Sequence, residues 1–343
     1  LLDPFAGGGA IPLEAQRLGL EAHASDLNPV AVMINKAMIE IPPKFAGMRP
    51  VNPEARARMG SVAPKGAAGL AEDVRYYGEC MKREAFKRIG HLYPKVKVPE
   101  EMGGGEATVI AWIWARTVKC PNPACGCEMP LVRSFELAKK KGKEAFVQPI
   151  VRQGKIQYSV KQGKGAPEGT VVRTGARCIA CGAPVPFDYV RKEGQNHSIG
   201  AKLLAIVAEG AHGRIYLSPT EEYEGIAVLP EPEDCPNTDL PEKALGFRVQ
   251  VYGMTKHKHL FTNRQLTALT TFSDLVEEAQ KQAEADAITA GLSEDQILLS
   301  EGGMVARAYG EAIGVYLTFV INKLADRDST ICSWDNGVKY ETI

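Results

Sequence analysis

The sequence has no net charge. Its 41 Lys and Arg balance 41 Asp and Glu, so overall electrostatics select no class of partner. It has no long apolar run either. The longest uncharged one, AIGVYLTFVI at 312–321, is too short to span a bilayer, and no signal peptide is visible, so a cytoplasmic protein is expected. No lysine precedes Lys36, which excludes a Gly-Lys-Ser/Thr phosphate loop from the glycine-rich start. Pro12 stands near the place where a dinucleotide-binding turn would carry its third glycine. There is no internal repeat. No methionine opens the chain, a strand is already under way at Leu1, and the closing VKYETI offers no helix or cap. Both ends therefore read as cut.

What is present begins with LLDPFAGGGA. An apolar pair runs into Asp3, Pro4 and Phe5, then into Gly7, Gly8 and Gly9, the pattern of a strand whose turn brings backbone against a ligand. IPLEAQRLG reads as a helix closed by Gly19, and EAHASD as a second strand. Asn28 is a good N-cap with Pro29 at the first helical position, so PVAVMINKAMIE is expected as a helix stopped by Pro42 and Pro43. Two such units predict an α/β fold with a parallel, doubly wound sheet. Asp26, 23 positions after Asp3, ends the second strand, where an acid can accept both hydroxyls of a ribose. The same residues would also serve as a tight turn, with Asp26 capping the next helix.

Further along, LAEDVRYYGECMKREAFKRIG predicts a helix with Leu70, Val74, Tyr77 and Met81 on one face. TVIAWIWARTV at 108–118 is strand-like, and LLAIVAEGAHGRIYLSPT at 203–220 reads as a hairpin. The stretch 221–242 holds eight acids and no Lys or Arg, and is expected as a linker or surface loop. Thr262 with Gln265 forms a capping box for a helix to about Ala290. GMVARAYGEAIGVYLTFVINKLADR follows as a largely buried helix.

Four of the eight cysteines lie in two close pairs, Cys120-x4-Cys125-Gly and Cys178-x2-Cys181-Gly. Paired thiolates followed by glycine supply the four soft ligands of a tetrahedral zinc site, so Cys120, Cys125, Cys178 and Cys181 are the expected metal ligands. Cys127 is an alternative to Cys125, although Gly126 favours Cys125. Four buried or reactive thiols without metal is the competing reading. Against it, this loop-rich stretch is expected to lack a strong core of its own, so a metal would order it. Cys80, Cys235 and Cys332 are isolated, and His197, His257 and His259 bear no ligand-like spacing to the pairs. Between Arg133 and Arg177 there are eleven Lys or Arg and three Glu, a basic stretch able to contact phosphates. Lys139, Lys140, Lys141, Lys143, Arg152, Lys155, Lys161 and Lys164 belong to it, with Phe146 and Tyr158 as stacking faces. A solvated loop would show the same charges.

DPFAGGG resembles the first motif of amino-group methyltransferases acting on DNA, which implies S-adenosylmethionine (SAM) held by Asp3, Pro4, Phe5, Gly7 and Gly9. Phe5 would line the pocket, Asp26 would hold the ribose, and Leu27 would lie against the adenine. With SDLNP, IWARTVKCPNPACG, RCIACG, LFTNRQLTALTTF and NKLADRDST added, most of the chain is similar to adenine-specific DNA methylases that carry a zinc ribbon. These are bacterial and archaeal proteins, some with phage-defence partners. The resemblance implies a partial class I methyltransferase sheet with an inserted zinc-ribbon module and C-terminal helices. The expected segments are 1–45 for SAM, 46–107 as an insertion, 108–220 as the zinc-ribbon module, 221–261 as an acidic linker and strand, and 262–343 as a helical segment. The implied reaction is methyl transfer to N6 of an adenine flipped out of double-stranded DNA. The family's Asp/Asn-Pro-Pro-aromatic motif is absent from residues 1–343, IPPKF at 41–45 lacking both acid and aromatic in place, so no catalytic residue is assigned. The alternatives are a non-catalytic zinc-dependent nucleic-acid-binding adaptor and an RNA amino-group methyltransferase.

Overall fold

A computed structural model of the chain describes residues 1–60, 63–210, 213–242 and 248–336. The closing VKYETI and the tip of the expected hairpin lie outside the described residues. The protein is a mixed α/β chain divided into two compact units, 1–89 with 268–327 and 90–267 with 328–343.

In the first unit, β1 (Leu2–Asp3) and β2 (His23–Ala24) pair in parallel, with Asp3 opposite Ala24. The helix Ala10–Arg17 connects them. Asn28 caps the helix Pro29–Asn35 as expected, its Oδ1 accepting the Val30 amide at 3.0 Å. Pro42 and Pro43 do not stop this helix. A π turn, Lys36–Glu40, runs into the helical segment Ile41–Lys44, in whose first turn the prolines sit. Re-registering the ladder places their missing N–H groups where little is lost.

The core of this unit is helical. Helix Ala68–Ile89 buries Leu70, Tyr77, Met81 and Ala85, with Val74 at the edge, against the helices Asn263–Thr289 and Ala306–Arg327. At one crossing a Cβ on Gly310 would come within 2.7 Å of the Gln280 carbonyl, so glycine sets how closely the two helices approach. The capping box is present: Thr262 and Gln265 exchange bonds of 2.8 and 3.2 Å. The last helix is buried only through Leu317, not along its whole length. The same packed face carries a residue that sequence periodicity does not mark. Asp73 is fully buried and accepts from the amides of Val51 (2.8 Å) and Asn52 (2.9 Å), from Asn52 Nδ2 (2.6 Å) and from the Tyr309 hydroxyl (2.5 Å).

The second unit is antiparallel. β3 (Val96–Lys97) pairs with β4 (Glu106–Ala107), and β5 (Val109–Lys119) pairs with β6 (Glu128–Leu131). β7 (Glu136–Ala138), β8 (Ala145–Arg152) and β9 (Lys155–Gln162) form a three-stranded sheet. Gln153 and Gly154 join β8 to β9 with both φ angles positive, as a two-residue hairpin requires. β10 (Val171–Val172), β11 (Gly175–Arg177) and β12 (Pro184–Pro186) make a second three-stranded sheet. β13 (Gly200–Gly210) and β14 (Gly213–Leu217) are the strands of the expected hairpin and complete a sheet ordered β14-β13-β5-β6.

The two faces of β5 serve different cores. Ala111, Ile113 and Ala115 face one that includes Val118, Met129, Phe135, Val147 and Val185, while Trp112 and Trp114 pack against Leu203, Ile206 and Leu217. The cysteine module therefore has a strong core of its own, contrary to the expectation from its loops. Its alternating strands hide apolar residues singly among charged ones. The acidic stretch also begins as structure rather than loop. Thr220 caps the helix Glu221–Ile226, and Glu224 accepts from the Leu203 amide at 3.0 Å and from Lys202 at 2.6 Å.

Candidate metal centre and glycine turn

Each cysteine pair occupies the loop between two paired antiparallel strands, β5 and β6 for the first, β11 and β12 for the second. Both following glycines adopt left-handed backbone, Gly126 at φ 54° and Gly182 at φ 75°. That conformation turns the chain back, and the Gly126 amide bonds the Asn122 carbonyl at 3.0 Å while the Gly182 amide bonds the Cys178 carbonyl at 2.8 Å. The four sulfurs of Cys120, Cys125, Cys178 and Cys181 lie within 4.8 Å of one another. Cys120 to Cys181 is 3.6 Å and Cys125 to Cys178 is 3.9 Å. A tetrahedron with metal–sulfur bonds of about 2.3 Å has edges of about 3.8 Å, close to these two distances, so the set can close on a tetrathiolate ion with small side-chain shifts.

Burial, with Cys181 and Cys178 close by, pushes the Cys120 thiol up to about 12. Cys127 is buried and its sulfur lies 3.4 Å from that of Cys178, yet it stands outside the mutual four-sulfur set. Among the described residues the isolated cysteines and the three histidines join no metal-like group.

The glycine turn is built differently. Asp3 is buried at the end of β1 and accepts the Phe5 amide at 3.2 Å. Asp26, beyond the end of the adjacent β2, accepts the Gly7 amide on Oδ2 and the Asn28 amide on Oδ1, both at 2.8 Å. These amides hold its carboxyl below the usual range. Asp26 thus closes the turn and starts the next helix, and both acids sit at the carboxyl ends of neighbouring parallel strands. Asn35 is a partner that the sequence reading missed. Its Nδ2 bonds the Gly7 carbonyl at 3.0 Å, its buried Oδ1 has no partner among the described residues, and a Cβ on Gly9 would meet that oxygen at 2.7 Å. An asparagine one helical turn after Ala31 was the only signal.

The other expected cofactor contacts are on the surface. Pro4 is exposed, and Phe5 and Leu27 are 85% and 99% exposed, so neither side chain is packed against a pocket wall. A cavity of about 240 Å³ in this unit lies elsewhere, lined by Val51, Pro53, Arg56, Asp286, Thr289 and Ala290. Phe146 and Tyr158, expected as stacking faces, are both buried, Tyr158 in the core with Ala145 and Val147 and Phe146 on the opposite face of the same sheet. From the basic stretch, Lys140 and Lys143 join Arg214 and Tyr216 around a small cavity, and Arg214 lies 5.4 Å over the Trp334 ring. Lys139 is paired with Glu136 at 2.9 Å. No described helix is long and apolar enough to cross a membrane. Comparisons with protein families, with curated proteins and with solved structures found no match to this chain.

Proposed function

We propose that this chain is the cofactor-binding and zinc-bound part of a SAM-dependent DNA methyltransferase acting on adenine N6. The observation that carries the reading is the pair of acids, Asp3 and Asp26, at the carboxyl ends of two adjacent parallel strands on either side of a glycine turn. In open α/β sheets that edge is where ligands bind. Each Asp26 oxygen accepts one amide and keeps a lone pair for a ribose hydroxyl. Cβ atoms built on Gly7 and Gly8 would meet nothing, so the outer side of the turn is open to a ligand. SAM would supply an electrophilic methyl group there, with Asp3 and the open side of the turn at its methionine end.

Leu1, Leu2, Phe5, Ile11, Leu18, Leu20, Leu27 and Val30 are all exposed, and parallel sheets are normally covered on both faces. In this reading further strands and helices of a doubly wound sheet cover them and bring the Asp/Asn-Pro-Pro-aromatic motif that residues 1–343 lack. Zinc would be held by Cys120, Cys125, Cys178 and Cys181, joining two hairpin loops. The test is calorimetric titration of SAM into this chain and its Asp26→Ala variant, with labelled-methyl incorporation into DNA and tRNA by the longer protein. Binding lost in Asp26→Ala supports the cofactor site, and the incorporation assay separates DNA from RNA. Absence of SAM binding in both would end the methyltransferase reading.

A second reading, a zinc-dependent nucleic-acid adaptor, is favoured by the Lys140, Lys143 and Arg214 cavity. It predicts salt-sensitive DNA or RNA binding that survives Asp26→Ala and fails in Cys178→Ser.

A further inference from the structure

Two of the recognised motifs, LFTNRQL and the end of NKLADRDST, have no role in the cofactor turn or the metal centre. They meet over β5. The Thr330 amide and hydroxyl both bond the Leu260 carbonyl, at 2.7 and 2.8 Å, and the Arg116 guanidinium bonds the Thr330 hydroxyl at 3.2 Å. Four residues after Leu260, Arg264 stacks on Trp112 with its guanidinium carbon 4.4 Å from the ring centroid, and 5.4 Å from that of Tyr93.

Two donors of this cluster lack a close acceptor among the described residues, although the Asp328 carboxyl, raised by burial, acts on the neighbouring Tyr93. Arg264 is only 7% exposed, and among the described residues its guanidinium makes one hydrogen bond, a long contact of 3.5 Å to the Leu92 carbonyl. The buried indole Nε1 of Trp112 has no partner among the described residues. Arg116, on the same face of β5 about 13 Å along the strand, is held among the described residues by Thr330 and the Met254 sulfur. Neither guanidinium meets a carboxylate among the described residues. Ring stacking offsets only part of the cost of burying a cation. Two kinds of orphan donor, side by side, call for one missing acceptor, an anion. Burial also lowers both guanidinium pKa values, the direction expected of cations lacking a counter-ion.

We propose that Arg264 and the Trp112 indole bind a phosphate group, and that Arg116 receives a second phosphate when the ligand is a nucleic-acid strand. A guanidinium fork matches phosphate geometry, and Arg116 follows Trp112 and Trp114 on one face of β5, so a second phosphate two or more nucleotides along a strand can reach it while the two indoles stay packed against Leu203, Ile206 and Leu217. Trp112, Tyr93 and Arg116 are partly exposed, so ligand meets the cluster at its rim. The site lies in the second unit and does not depend on the SAM reading.

The test is thermal melting and tryptophan fluorescence of the full chain with inorganic pyrophosphate or a short oligothymidylate, against sodium chloride of equal ionic strength. The melting temperature of the wild type should rise by about 3 °C or more at saturation, and its fluorescence should change with either ligand. Arg264→Leu should abolish both responses without a lower melting temperature in phosphate-free buffer, because it removes an unpaired buried charge. Arg116→Gln should weaken oligothymidylate about tenfold and leave pyrophosphate unchanged. If Arg264→Leu fails to fold, Arg264→Lys decides, since it keeps the charge but loses the fork and should weaken both ligands tenfold or more. A response to pyrophosphate alone would remove the nucleic-acid source and keep the phosphate site. No ligand-dependent change in the wild type, or an unaltered response in Arg264→Lys, would overturn the proposal.

Discussion

The glycine turn and the cysteine knuckles both rest on left-handed glycines, yet they stand in opposite relations to their surroundings. The knuckles close on a core in which Cys120, Cys127 and Cys178 are themselves buried members. Around the turn, residues 1–38 expose nine large apolar side chains, Met38 included, at 45–99% of their surface. Both regions can be ordered locally, but only the knuckles enclose a complete ligand set. The turn instead presents two carboxylates and open backbone, which suits a site finished by something added to it.

Removing the metal should break this contrast most sharply. Chelation, or Cys178→Ser, is expected to cost the second unit on the order of 5 kcal/mol, a fall of roughly 10–20 °C for a domain of this size. Near-ultraviolet circular dichroism and metal content per chain would report it, with helical signal from the first unit retained. Well under one zinc per purified chain would contradict the tetrathiolate site.

The first unit should be most sensitive far from its glycine turn. Asp73→Ala leaves four donors without their acceptor and should cost about 3–4 kcal/mol in a denaturant titration. Burial raises the Asp73 carboxyl, with Tyr309 and the amides of Val51 and Asn52 opposing. The folded state then holds this proton more tightly than the unfolded chain does. Stability from this group therefore declines as pH rises from its ordinary value of 3.8 through the raised value, and Asp73→Asn should flatten that slope.

Smaller effects sharpen the assignment within each region. Cys127→Ala should keep full metal content and lose about 1–2 kcal/mol through packing, whereas Cys125→Ala should lose metal. Asp26→Asn should raise hydrogen exchange at the Gly7 amide. Because the Asp26 carboxyl is lowered, the wild-type turn should hold above 3.8 and loosen as pH falls through the lowered value. Phe5→Ser and Leu27→Ser should change stability by no more than about 0.5 kcal/mol while improving solubility.

What the sequence made legible was local. Asn28, Thr262 with Gln265, the β13–β14 hairpin and the cysteine spacing each encode a structure through neighbours a few residues away. Pro42 and Pro43 misled because the stop they signal was absorbed by a π turn upstream. Phe146 and Tyr158 misled because lysines dominate their stretch, while strand alternation turns Tyr158 into the core with Val147 and Phe146 is buried on the other face. Asp73 with Tyr309, Asn35 with Gly9, and Arg264 with Trp112 are pairings across the chain, and no spacing rule announces them. Of the candidate sites, the thiolate set was therefore readable almost whole. The surroundings of the turn were not, since the exposure of Phe5 and Leu27 depends on what packs nearby.

The first unit is assembled from two stretches of chain separated by residues 90–267. During synthesis the apolar stripe of helix Ala68–Ile89 emerges long before the two helices that cover it. At ordinary translation speeds the interval is roughly ten to forty seconds. In that interval the whole β-rich unit up to Thr267 leaves the ribosome, and the exposed stripe of Leu70, Tyr77 and Met81 is a natural foothold for a chaperone.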